Sequence, residues 1–150
     1  MGYGVKSFVG GAYANGCGVS AMDFDANESL LTAQKSWFFF DEEIVCLGTS
    51  IQCPTGNFTE TIVNQWPLAS QTAPLTVDGV LKPAEMPWTE VIPAVRWAHC
   101  ENMGYYFPPE SPATQTLTVC KAVQSGSWRN LSASQSTTSH SKPILTLYYN

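Results

Sequence analysis

The 150-residue sequence predicts an all-β protein, an antiparallel β-sandwich forming one domain over residues 1–150. Two observations carry that expectation. Short runs rich in Val, Ile, Thr, Tyr, Phe and Trp recur along the chain, with turn-forming residues between them. No stretch spaces its apolar residues with the period of a helix, and no internal repeat or low-complexity tract interrupts the pattern.

The first strands are expected at residues 3–9 and 18–24. Strands at 32–40 and 43–52 then meet at the acidic turn Asp41-Glu42-Glu43. Neighbouring side chains on a strand point to opposite faces, so Ser36, Phe38 and Phe40 face one way and Trp37 and Phe39 the other. Large apolar groups on both faces suit a strand deep in a sandwich. The expected core therefore holds Trp37, Phe39, Val45, Leu47 and Ile51, together with Val119. A strand at 59–65 follows. Residues 75–77 and 80–82 form a hairpin around Asp78-Gly79, a pair that favours the type I′ turn because both central positions need positive φ. Pro83, Pro87 and Pro93 break residues 83–93 into a loop. Strands at 96–100, 104–107, 116–123 and 143–149 complete the set, and the polar Ser/Thr-rich stretch 132–141 is the loop expected to move most.

Composition narrows the function. Apolar residues make up 44% and charged residues 13%, which excludes a disordered polyelectrolyte. A net charge of −5 with only 7 Lys and Arg argues against a nucleic acid or an anionic membrane as partner. The same balance disfavours electrostatic capture of an acidic polymer such as a glycosaminoglycan, so any glycan partner is expected to be neutral or weakly charged. No apolar run approaches the roughly 20 residues of a membrane span. The first residues lack the continuous apolar core of an export signal, so the chain is expected to be cytoplasmic or non-classically secreted, or extracellular if it is a piece of a larger exported protein.

Cys17, Cys46, Cys53, Cys100 and Cys120 include no CxxC pair and no zinc spacing. Cys46 and Cys53 on one extended strand lie too far apart for a bridge, whereas Cys100 and Cys120 can meet across neighbouring strands. Buried free thiols are the expectation. The sequons at Asn27, Asn57 and Asn130 would carry glycans only on a secretory route.

Several clusters invite a chemical reading. Residues 23–29 begin like a calcium loop, but Glu28 replaces the sixth-position Gly and Gln34 the final Glu, so a polar hairpin loop is expected and no metal. Asp41, Glu42 and Glu43 are adjacent in a tight turn and face water rather than flanking a cleft as paired catalytic acids do. His140 has no evident partner in its polar loop. No nucleophile elbow accompanies either histidine, so no catalytic residue and no cofactor is expected.

The aromatics are more informative. Trp66 and Trp88 each adjoin proline, in or beside loops, close in sequence to Asn64, Glu85 and Glu90. Sugars pack their C–H faces on exposed rings and seek hydrogen bonds from neighbouring amides and carboxylates, the mixture typical of small-ligand sites. Trp88, Trp66, His99, Asn102 and Tyr105 are therefore the candidate carbohydrate-binding residues. The alternative is that these tryptophans staple loops to the core.

Particular motifs also resemble a known family. Lys35-Ser-Trp-Phe-Phe-Phe40 with its acidic turn, Gly16-Cys-Gly-Val-Ser20, Glu60-Thr-Ile-Val-Asn64, Arg96-Trp-Ala-His99, Ser125-Gly-Ser-Trp128 and Ile144-Leu-Thr-Leu-Tyr148 are similar, in the same order, to the central β domain of polysaccharide lyase family 8, the hyaluronate, chondroitin and xanthan lyases. Glu101-Asn102 stands where that family more often has Asp-Gly. The resemblance implies a supersandwich fold related to galactose mutarotase. It also implies that catalysis belongs to a helical toroid domain whose motifs have no match in this sequence. The expected function is thus a non-catalytic, lectin-like carbohydrate-binding protein, or alternatively a fragment of a lyase whose catalytic domain is absent. A homodimer is expected, paired through an exposed edge at residues 144–149.

Overall fold

The computed structural model describes residues 5–26, 30–54, 56, 58–109 and 116–149. They fall into two compact units, Met1–Thr59 and Glu60–Asn150. Every strand pairing in both units is antiparallel, as the sequence predicts.

The first unit is a four-stranded meander of β1 (Val9–Ala14), β2 (Cys17–Asp25), β3 (Thr32–Phe39) and β4 (Ile44–Gln52), paired in that order. Asn15 and Gly16 turn β1 into β2 with φ of 51° and 82°, the two positive values a type I′ turn requires. This hairpin moves the first strand from its expected place at 3–9, of which residues 3 and 4 lie outside the described residues. β1 instead runs through Gly10 and Gly11, and Gly11 has a steric reason: a Cβ there would stand 2.6 Å from the Val19 carbonyl oxygen. The acidic turn closes as expected, with the Phe40 N–H donating to the Glu43 carbonyl at 2.9 Å. The register slips by one residue opposite Thr32–Gln34, where Ser50 takes φ of 54°.

Burial in this unit overturns most of the expected core. Trp37 is only half-buried, and Phe39, Val45, Leu47 and Ile51 are exposed, Leu47 at 55%. The two strands form as expected, but the unit is a single layer of sheet, and a layer with apolar groups on both faces needs a cover on each to bury them. Cys17 and Cys46 are exposed on the same sheet, against the expectation of buried thiols, whereas Cys100 is buried and Cys120 half-buried. Of the polar loop expected at 23–29, Asp23–Asp25 instead belong to β2, paired with β3, and residues 27–29 with their sequon lie outside the described residues, as does Asn57.

The second unit is a two-layer sandwich. One sheet has the order β5-β12-β11-β8, from β5 (Thr61–Pro67), β8 (Trp88–Pro93), β11 (Thr116–Gly126) and β12 (His140–Tyr149). The other has the order β10-β9-β6-β7, from β6 (Leu75–Val77), β7 (Val80–Leu81), β9 (Trp97–Cys100) and β10 (Met103–Tyr106). Inward residues of both layers make one core: Leu117, Val119, Leu145 and Leu147 from the first sheet, Leu75, Val77, Ala98 and Cys100 from the second. Val119 is buried, as expected. Phe107 and Tyr149 meet edge to face, ring centroids 5.7 Å apart. Lys121 is fully buried on β11, its amine donating to the carbonyls of Ala73 at 3.1 Å and Pro83 at 3.4 Å. A buried ammonium is tolerable only when such acceptors replace water.

Two expectations fail here for topological reasons. Residues 88–93 form strand β8 rather than loop, because β8 is an edge strand and its prolines stand before it and at its last residue, where no ladder bond is lost. β12 lies between β5 and β11 and starts already at His140, so residues 144–149 offer no free edge and the argument for a dimer through them falls away.

Candidate functional site

The open margin of the sandwich in the second unit is where its two outer strands β5 and β10 lie. On β5, Asn64 and Trp66 are two residues apart and share the face of their partners Leu147 and Leu145. Those partners are buried under the opposite sheet, but β5 is the last strand of its layer, so Trp66 remains 63% exposed. On β10, Tyr105 stands opposite the inward-facing Ala98 of β9 and is half-buried. The tight β9–β10 turn, Glu101-Asn102, comes up beside them.

Trp66, Asn64, Glu101, Asn102, Met103 and Tyr105 thus wall a small groove, with Leu68, Cys100 and Leu145 as its floor and a volume of about 180 Å³. Its polar members are held in place. The Asn64 amide donates to the Leu145 carbonyl at 3.4 Å, and Glu101 Oε1 accepts the Ala69 N–H at 2.8 Å. Burial pushes the Tyr105 phenol up, helped by the neighbouring Cys100 and the charge of Glu101. Burial likewise raises the Cys100 thiol, with Glu101 adding and the Lys121 ammonium opposing. Both groups stay protonated at neutral pH, so the groove offers a phenol donor, two amides and a carboxylate acceptor beside an aromatic plane. Groups of this kind can exchange hydrogen bonds with a hydroxylated ligand.

The groove unites three of the five candidate residues, Trp66, Asn102 and Tyr105, and leaves out two. Trp88 begins β8, half-buried and packed against the core, the stapling role that was its alternative. His99 is exposed on β9 between the buried Ala98 and Cys100, hence on the outer face of its sheet. Glu90 is likewise elsewhere, paired with Lys82 at 3.1 Å. Glu101 and Met103 were not among the candidates. Their position in and after the Glu101-Asn102 turn is a signal the sequence contains, since a two-residue hairpin puts both beside Asn102. Among the described residues no three His, Cys, Asp or Glu gather as a metal site would require.

A second concavity, about 440 Å³, lies in the first unit along the strand pairs Asp23–Gln34 and Gln34–Thr49, floored by Ala21 and Leu47 with Phe8 beside it. It contains no exposed tryptophan and none of the candidate residues.

Comparison with known proteins agrees with this fold. The sequence model of the polysaccharide lyase family 8 super-sandwich domain matches residues 1–150. A chondroitinase-AC of Pedobacter heparinus is 33% identical over 153 residues, covering 98% of this chain and 20% of the relative. A hyaluronate lyase of Thermasporomyces composti is 29% identical over 127 residues, covering 84% and 16%. The structure of a Paenibacillus xanthan lyase superposes with a TM-score of 0.83 and 34% identity, covering 93% of this chain and 14% of that one. The chain therefore spans a fifth or less of these relatives. With the motifs, the antiparallel topology and the family match all running along the same residues, the chain belongs to polysaccharide lyase family 8, through its super-sandwich domain.

Proposed function

We propose that this chain is a non-catalytic, lectin-like carbohydrate-binding protein and that the groove between β5 and β10 is its sugar site. The observation that carries this reading is the exposed Trp66 ring set beside Asn64, Asn102, Glu101 and Tyr105. A pyranose ring can lay its C–H face on the indole while its hydroxyls meet the amides, the phenol and the carboxylate. The ligand is a neutral or weakly charged glycan, because no Lys or Arg walls the groove and the chain carries a net charge of −5. The groove is smaller than the roughly 300–1,000 Å³ of drug-sized sites, which suits one sugar ring rather than an enclosed chain. Binding is expected to be weak, detectable in a panel of neutral oligosaccharides by quenching of tryptophan fluorescence and lost in Trp66→Ala. A panel without hits, or hits indifferent to Trp66→Ala, would sink this reading.

A second reading rests on a different observation. The sheet of the first unit shows apolar side chains on both faces, and the relatives are five or more times longer than the match. In this reading the chain is the super-sandwich portion of a polysaccharide lyase, and its groove touches a substrate that is cleaved elsewhere. β-Elimination of a uronide creates an unsaturated product that absorbs in the ultraviolet. That signal is expected to be absent from the 150-residue chain on hyaluronan, chondroitin or xanthan under both readings, and to appear with the intact natural protein only under the second.

A further inference from the structure

Glu101 is an odd choice for its position. It takes a φ of 55° in the two-residue turn between β9 and β10, a left-handed conformation that Gly, Asn or Asp adopts more readily. The backbone thus gives no reason for Glu, and the reason must lie in the side chain. One carboxylate oxygen accepts the Ala69 N–H at 2.8 Å, which fixes the group at the groove wall. The other accepts no hydrogen bond from the described residues. Among the described residues that wall the groove, none is a Lys or Arg that would offset the charge. The Lys121 ammonium acts on the Cys100 thiol beneath, but it is fully buried and already donates to the carbonyls of Ala73 and Pro83. The negative field of Glu101 reaches the groove floor, since it contributes to raising both the Cys100 thiol and the Tyr105 phenol.

Resting on the reading of this groove as a sugar site, we infer that Glu101 is its specificity-determining residue: its carboxylate accepts a hydroxyl from a neutral sugar and repels the carboxylate of a uronate. The preference is electrostatic and partly exposed to water, so it is modest and weakens with salt.

The test compares two ligands that differ only in charge. The best neutral hexose oligosaccharide from the binding panel is titrated calorimetrically into the chain, alongside the same compound oxidised at C6 to the uronate. Glu101→Gln is the informative variant, because the amide oxygen can still accept the Ala69 N–H. The wild type is expected to favour the neutral ligand by about fivefold at low salt, the effect of two unit charges some 4 Å apart in water. That ratio should fall toward unity in high salt, and it should lie near unity at every salt concentration in Glu101→Gln. An unchanged ratio in Glu101→Gln, with Trp66→Ala still abolishing binding, overturns the role of Glu101 and leaves the sugar site standing. Failure of every panel sugar to bind either protein overturns the sugar site and this inference together.

Discussion

Asp78 ties the turn between β6 and β7 to the strand that leads into the groove, and its loss should be felt throughout the second unit. Its carboxylate accepts the Arg96 N–H at 3.0 and 3.2 Å and the Trp97 N–H at 2.9 Å. Its own N–H donates to the Trp97 carbonyl at 3.1 Å. These bonds hold the start of β9, the strand that ends at Cys100 beside the Glu101-Asn102 turn. Asp78→Ala removes two N–H bonds to a charged acceptor, about 1.5 kcal/mol each at the low end appropriate to an exposed group. It also leaves a β-carbon without its local hydrogen bonds at φ of 47°, which adds about 1 kcal/mol. The expected loss is therefore about 4 kcal/mol. Asp78→Asn keeps a side-chain oxygen and tolerates the left-handed backbone, so only the charge assistance goes, about 1 kcal/mol. Urea unfolding of both variants, compared at unchanged m-value, reads the difference directly. A loss below about 1 kcal/mol in Asp78→Ala, or an equal loss in the two variants, would refute the reasoning.

The two units also predict opposite outcomes for one substitution. Leu147→Ala, at a fully buried core position, should cost about 3 kcal/mol in urea unfolding, whereas Leu47→Ala on the open sheet of the first unit should cost less than about 1 kcal/mol. Equal costs would mean that Leu47 is covered. Tyr149 supplies a pH dependence: burial pushes its phenol from 10.0 up to about 12. A raised folded pKa means the stabilisation is complete below pH 10 and is lost as pH rises from 10 toward 12. Tyr149→Phe, which keeps a ring against Phe107, should flatten the alkaline fall of the unfolding midpoint in that window.

What the sequence determined by itself was local. The strands Thr32–Phe39 and Ile44–Gln52, the acidic turn between them and the Asp78-Gly79 hairpin all rest on residue preferences and backbone angles set within a few residues, and all are present. The Asn15-Gly16 hairpin obeys the same rule, and it displaces the strand expected at 3–9 to Val9–Ala14. Sheet order decided the rest. Prolines are compatible with a strand at residues 88–93 only because β8 is an edge, and residues 144–149 lose their free edge only because β5 pairs with them. Both depend on pairings between segments dozens of residues apart, which no local pattern specifies. Tertiary structure also sorted the candidate site. His99 and Cys100 are neighbours that face opposite ways, Trp88 turns in toward the core, and Trp66 stays in the open because its strand is the last in its layer. The same physics separates the apolar residues: alternation says which side chains share a face, but only a second layer packed on that face removes them from water.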